Sequence, residues 1–152
     1  MRLALYQPEI PQNTGTLMRL CACLDLPLDI IHPCGFVWND RHLRRAGMDY
    51  KDKATVHHHE NWQAFFTWSQ KEKNRIVLLD TKSSTPYTRF SFQAQDIILM
   101  GQESSGVPDE VFHALPQRLM IPMAPECRSL NISLAAAMVV GEGIRQLDLF
   151  PK

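Results

Sequence analysis

No apolar run in this 152-residue chain approaches the roughly 20 residues of a membrane-spanning helix, so no membrane partner is expected. Charge of one sign is not in excess either: Lys plus Arg and Asp plus Glu both number 16. That excludes a generic polyanion coat, whose affinity comes from many phosphate contacts, while leaving room for a local basic patch. The common nucleotide fingerprints are missing. No G-x-G-x-x-G follows a strand-like run, no G-x-x-x-x-G-K-S/T exists, and Gly141 and Gly143 fall inside a helical segment. A nucleotide-like ligand would have to be held another way. Cysteine is sparse and badly spaced for a metal: Cys21 and Cys23 sit one residue apart on an expected helix, so their side chains diverge. With Cys34 and Cys127 they are expected to be free thiols rather than zinc ligands or disulfides. No repeat, linker or low-complexity stretch divides the chain, so one domain over 1–152 is expected. The opening Met1-Arg2-Leu3-Ala4-Leu5-Tyr6 runs straight into a strand-like segment without the layout of a signal peptide. A cytoplasmic protein is the expectation.

What is present has the composition of a globular protein, 45% hydrophobic and 21% charged. Strand-like and helix-like segments alternate. Strands are expected at Leu3–Tyr6, Leu28–His32, Ala54–Val56 (weak), Arg75–Leu79, Asp96–Met100 and Leu119–Ile121. Helices are expected from a cap at Asn13 or Thr14 to about Leu24, as a short turn at Asn39–Arg45, and over Glu60–Lys71. Pro108 suits the first position of another, running to about Leu115. The last, about Ile132–Leu147, carries Ile132, Ala135, Ala136, Val139, Val140 and Ile144 at a 3.6-residue period. Thr81–Pro86 reads as loop. The continuous hydrophobicity of Ile76–Leu79 and Ile97–Leu99 is that of parallel strands buried on both faces. The fold class is therefore α/β, a mainly parallel sheet with helices on both faces.

Three segments carry more polar specificity than a core requires, each where a strand ends and a helix begins: Asn13 to Arg19, Gly101 to Pro108, and Ile121 through Asn131. That edge of an open α/β sheet is where ligands bind. Gly101 and Gly106 permit close approach of backbone to ligand, with Glu103 held between them; the alternative is a capping loop in which Glu103 satisfies backbone donors. Arg19 stands either at the same site as Asn13 or as an exposed helix arginine. Ser129-Leu130-Asn131 either contacts ligand or only caps the last helix. Arg41, Arg44 and Arg45 form either a basic patch or a solvated helix face. His57-His58-His59-Glu60 reads as a solvated strand-to-helix turn in preference to a metal site.

Asn13-x-Gly15-x-x-x-Arg19, Gly101-x-Glu103-x-x-Gly106-Val107-Pro108, and Ile121-Pro122-Met123 through Ser129-Leu130-Asn131-Ile132-Ser133 resemble the three motifs of the SPOUT (SpoU–TrmD) ribose 2′-O-methyltransferases. The segments Tyr6–Gly15, Gly35–Trp38 and Leu43–Tyr50 resemble the short branch that methylates the wobble nucleotide, cytidine or modified uridine, of certain tRNAs. The resemblance covers nearly the whole chain.

The resemblance implies a C-terminal deep trefoil knot, which no periodicity would reveal, and S-adenosyl-L-methionine as methyl donor, bent within it. Cofactor-binding positions would be Leu79, Thr81, Met100, Gly101, Gly106, Ile121, Met123, Ser129 and Leu130. The catalytic set would be Arg19, Asn13, Glu103, Ser129 and Asn131. An arginine stays protonated, so Arg19 is read as orienting phosphate and stabilising developing oxyanion charge rather than as a base. No metal is implied, because the leaving thioether departs from a cation. The family also implies a homodimer with sites shared between subunits, Ala135-Ala136-Ala137 permitting close approach, and Arg41, Arg44 and Arg45 on the tRNA backbone. Methylation at another tRNA or rRNA site, or a non-enzymatic RNA-binding protein of the same fold, are the alternatives.

Overall fold

The computed structural model describes residues 1–38, 43 and 53–151. Seven strands form one sheet: β1 (Arg2–Tyr6), β2 (Leu28–Ile31), β3 (Val56–His59), β4 (Arg75–Leu79), β5 (Thr85–Pro86), β6 (Asp96–Met100) and β7 (Gln117–Met120). Their order is β3-β2-β1-β6-β4-β7-β5, and every pairing is parallel. The helices are α1 (Pro11–Cys23), α2 (Trp62–Lys71), α3 (Asp109–Ala114) and α4 (Ile132–Leu147).

Side chains alternate across each strand, so every buried strand feeds two cores. Leu3 and Leu5 of β1, Val77 of β4, and Ile98 and Met100 of β6 face one side, against Leu17, Met18 and Cys21 of α1 and Ala136, Val139, Val140 and Ile144 of α4. Ala4, Tyr6, Ile76, Leu78, Ile97 and Leu99 face the other, against Phe65 of α2 and Val111 of α3. This double burial is why the central strands read as unbroken apolar runs. The two acids that interrupt this pattern are each matched by an arginine. Asp29, fully buried, accepts from Arg2 at 2.7 and 3.0 Å and pairs with His59 at 2.8 Å. Asp96, also buried, accepts from Arg75 at 2.6 and 2.8 Å.

Several boundaries differ from expectation. α1 begins at Pro11, with Ile10 as an N-cap that uses no side chain, so Asn13 lies inside the first turn and is not a cap. Proline supplies the start because its fixed φ suits the first turn and its missing N–H is no loss there. Pro108, by contrast, precedes α3 as its N-cap. β7 starts two residues before Leu119, and β2 stops at Ile31. Within Thr81–Pro86 the pair Thr85–Pro86 joins β7 as an edge strand, too short to leave a periodic signal. His57, His58 and His59 belong to β3 and are no turn, since β3 pairs with β2 through His59. The short helix expected at Asn39–Arg45 lies outside the described residues, Leu43 apart.

β1 sends the chain through α1 toward β2, whereas β6, its neighbour, sends it through α3 toward β7. The loops after these adjacent strands thus diverge and open a crevice at the carboxyl edge, where ligands of open α/β sheets bind.

Candidate active site

The crevice is closed at its base by two glutamates that reach across it. Glu103 lies in the loop after β6, and its carboxylate accepts from the backbone N–H of Glu9 at 2.9 Å and of Ile10 at 3.3 Å. The same carboxylate accepts from the Asn13 side-chain amide at 3.3 Å. In return, Glu9 accepts from the backbone N–H and hydroxyl of Ser104, both at 2.8 Å. In an ordinary capping box the acid that satisfies the N-cap N–H comes from the third helical position. Here that position is Asn13, and the acid arrives instead from a loop 93 residues further on. Glu103 therefore caps α1, and the crevice loops are held together by the same bonds.

Asn13 carries the connection onward. Its carbonyl oxygen accepts from the Asn131 side-chain amide at 3.1 Å, and its backbone C=O accepts from the Ser133 hydroxyl at 3.4 Å. Asn131 also caps α4, accepting from the Ser133 N–H at 2.9 Å. One hydrogen-bonded chain, Glu103–Asn13–Asn131, thus joins all three polar segments.

Beside this chain lies a cavity of about 550 Å³, within the range of small-molecule sites. Its apolar wall comes from Leu79, Met100, Ile121, Met123, Leu130 and Ile132, and its polar rim from Asn13, Asp80, Thr81, Glu103, Ser129 and Asn131. Gly101 and Gly106 complete it. Gln102 and Gly106 exchange backbone hydrogen bonds of 2.7 and 3.0 Å, closing a tight loop. A Cβ on Gly101 would stand 2.6 Å from the carbonyl carbon of Gly106, so no larger residue fits. Gly106 has φ +70°, the left-handed region that glycine tolerates.

Every expected cofactor position lines this cavity, as do Asn13, Glu103 and Asn131. Arg19 does not: it stands exposed on α1, about 9 Å along the axis from Asn13. Arg41, Arg44 and Arg45 lie outside the described residues. Glu9, Ser104, Asp80 and Lys82 also belong to the site; Glu9 and Ser104 fall within segments the resemblance covered, but no role was expected of any of the four. Glu9 sits between Pro8 and Ile10 with no spacing to signal its partner 95 residues away. Asp80 had one available signal, a charge directly after an apolar strand at the ligand-binding edge.

Cys21 and Cys34 are poorly suited to act as nucleophiles. Burial pushes the Cys21 thiol up to about 12, and burial with the nearby Glu103 charge pushes Cys34 up to about 11. All four cysteines are free, and among the described residues no group of three or more potential metal ligands forms a site.

A parallel α/β sheet with a three-loop cavity at its carboxyl edge, walled by apolar side chains and rimmed by polar ones, has the form of a small-ligand site. Residues 1–141 match the model of the SpoU rRNA Methylase family, and the chain belongs to that family. A protein of Beijerinckia indica named tRNA (cytidine(34)-2′-O)-methyltransferase is 53% identical over 99% of this chain and 94% of its own length. One of the same name from Escherichia coli K12 is 42% identical over 97% and 94%. A solved structure described as "Structural insights into the 2-OH methylation of C/U34 on tRNA" superposes with a TM-score of 0.92 at 36% identity, covering 97% of this chain and 95% of the other. An AdoMet-bound rRNA methyltransferase from Sinorhizobium meliloti, 22% identical with a TM-score of 0.87 over 96% of this chain and 56% of its own, shares the fold.

Proposed function

We propose that this chain, acting as one domain, transfers a methyl group from S-adenosyl-L-methionine to the ribose 2′-hydroxyl of nucleotide 34 of tRNA. The reading rests on whole-length relatives of that name and on one structural observation, the Glu103–Asn13–Asn131 chain beside a cavity of nucleoside size. The cavity suits the cofactor: it has an apolar slot, two glycines that let backbone approach, and a polar rim. When bound, S-adenosylmethionine supplies an electrophilic methyl group.

This chain's residues hold the acceptor and manage its charge. Asn13, fixed from both sides, positions the ribose at the cavity mouth, while Ser129 and Asn131 place cofactor and substrate. Glu103 keeps α1 and the Gly101–Gly106 loop in register. Arg19 orients phosphate and stabilises the developing oxyanion. Because Arg19 stands on the outside of α1, its contribution goes to the site of a second copy. Support for a homodimer comes from α4, whose Leu134 and Met138 are 61% and 41% exposed, with Leu130 at the cavity rim 40% exposed. Ala135 and Ala136 bury against their own sheet, so Leu134 and Met138 rather than the alanine run are the face offered to a partner. Arg41, Arg44 and Arg45 hold the tRNA backbone, and the reaction uses no metal.

A trefoil knot is the threading we assign to the C-terminal segment. Its support is that β7 lies beyond β4, yet the helix that follows it returns to pack on the α1 face and bonds to Asn13. No helix among the described residues is long and apolar enough to cross a membrane, and a cytoplasmic location with tRNA fits the reading.

The test is methyl transfer from labelled S-adenosylmethionine into total small RNA, with nuclease mapping of the labelled nucleotide. Label in a 2′-O-methylated nucleotide 34 is expected; label elsewhere overturns the substrate assignment. Arg19→Ala should bind cofactor and lose transfer, and near-full activity would remove Arg19 from the mechanism.

A further inference from the structure

Two carboxylates line the cavity, and their surroundings are unlike. Glu103 commits its oxygens to the N–H groups of Glu9 and Ile10 and to Asn13. Asp80, directly after β4, commits only one. Its backbone N–H donates to the Leu119 carbonyl at 2.9 Å and its C=O accepts from Ser83 at 3.2 Å, so its main chain is pinned. Its Oδ1 accepts from the Lys82 N–H at 2.8 Å, which fixes the side chain. Oδ2 receives no hydrogen bond from any described residue. It lies 3.2 Å from where a Cβ on Gly106 would stand, so the glycine keeps space open in front of it. The Lys82 ammonium, on the same loop and also lining the cavity, approaches Asp109 at 3.9 Å in an exposed pair. The cavity thus presents one fixed carboxylate oxygen with no hydrogen-bond donor among the described residues, on a half-buried wall.

We infer that Asp80 is a specificity-determining residue that favours the cationic methyl donor over its neutral product. The inference rests on S-adenosylmethionine being the cofactor. The donor carries a sulfonium charge above its zwitterionic amino-acid end; S-adenosylhomocysteine keeps the zwitterion and loses only the sulfonium charge. A fixed carboxylate therefore attracts the donor as a whole and has no net charge to hold once the methyl has left. Asp80 in this role binds the charged reactant and promotes release of the spent one, without touching the transferred group.

Calorimetric titration of the full chain tests this with S-adenosylmethionine, S-adenosylhomocysteine and methylthioadenosine, which lacks the amino-acid part. Asp80→Asn keeps an oxygen for the Lys82 N–H and removes the charge; Asp80→Ser, whose hydroxyl can also accept from Lys82, serves as a second variant. The expected result is an affinity for S-adenosylmethionine weakened by roughly five- to thirtyfold, with the other two ligands within about twofold of wild type. Equal losses for donor and product would make Asp80 a ligand of the ammonium group and overturn discrimination. A loss that extends to methylthioadenosine would assign it to the ribose and overturn it likewise, as would an unchanged donor affinity. Wild-type protein that binds neither donor nor product overturns the cofactor reading itself, an outcome separate from any effect of the variants.

Discussion

Replacing Glu103 with alanine removes one acceptor from three donors at once, and the cost can be counted from their distances. The 2.9 Å bond from the Glu9 N–H is charge-assisted and partly buried, worth about 1.5 kcal/mol. The two 3.3 Å bonds, from Ile10 and Asn13, are longer and the first is exposed, so each is worth about 0.5 kcal/mol. Glu103→Ala should therefore cost about 2.5 kcal/mol, which at a urea m-value of roughly 2 kcal/mol/M moves the unfolding midpoint down by about 1 M. Glu103→Gln keeps one accepting oxygen and should lose about half as much. The assay is equilibrium urea unfolding of both variants, with cofactor titration alongside. Methyl transfer should fall further than cofactor affinity, because Asn13 loses one of its two anchors while the apolar walls stay in place. A loss below about 0.5 kcal/mol for Glu103→Ala, or equal losses for the two variants, would refute the assignment of Glu103 as the cap of α1. Asn13→Ala combined with Glu103→Ala should cost less than the sum of the single losses, as expected for groups that share a bond.

Gly101→Ala drives a Cβ into the backbone of Gly106, and the Gln102–Gly106 pair of hydrogen bonds must open. A stability loss of about 2 kcal/mol is expected, with cofactor affinity down about tenfold or more; calorimetry showing affinity within twofold of wild type would contradict this account of the loop. His58 meets the His32 ring at 2.9 Å and the Trp38 edge at a centroid distance of 4.6 Å. Its pKa is lowered from 6.5 by burial first, then by the neighbouring His32, His59 and His57. The unfolded chain therefore binds the proton more readily below about pH 6.5, so this stability is complete above that value and is lost as pH falls toward the depressed folded pKa. Wild type minus His58→Asn, followed by urea midpoints between pH 7.5 and 5.5, should shrink on acidification; a constant difference would exclude the linkage.

The elements whose geometry rests on local pattern were the legible ones. β4, β6 and α4 stand at their expected residues because double-sided burial writes an apolar run and one-sided burial writes a 3.6-residue period. β5 was not legible, since Thr85 and Pro86 become a strand only through pairing with Leu119 and Met120. Asn13 has the chemistry of a cap, and its local sequence could not announce that Pro11 starts the helix while Glu103 supplies the acceptor.

By itself the sequence determined the class of fold, because that depends on side-chain chemistry and short-range spacing. Its three motifs carried the resemblance that implied most of the residues walling the cavity. Strand order, the switch point between β1 and β6, and the Glu9–Ser104 and Glu103–Asn13–Asn131 connections were decided only by the tertiary structure. So was the placing of Arg19 outside the cavity its motif partners line. Such bonds join groups about 90 to 120 residues apart, and their energy exists only once the sheet has brought its loops to one edge. No pattern local to either partner can encode them.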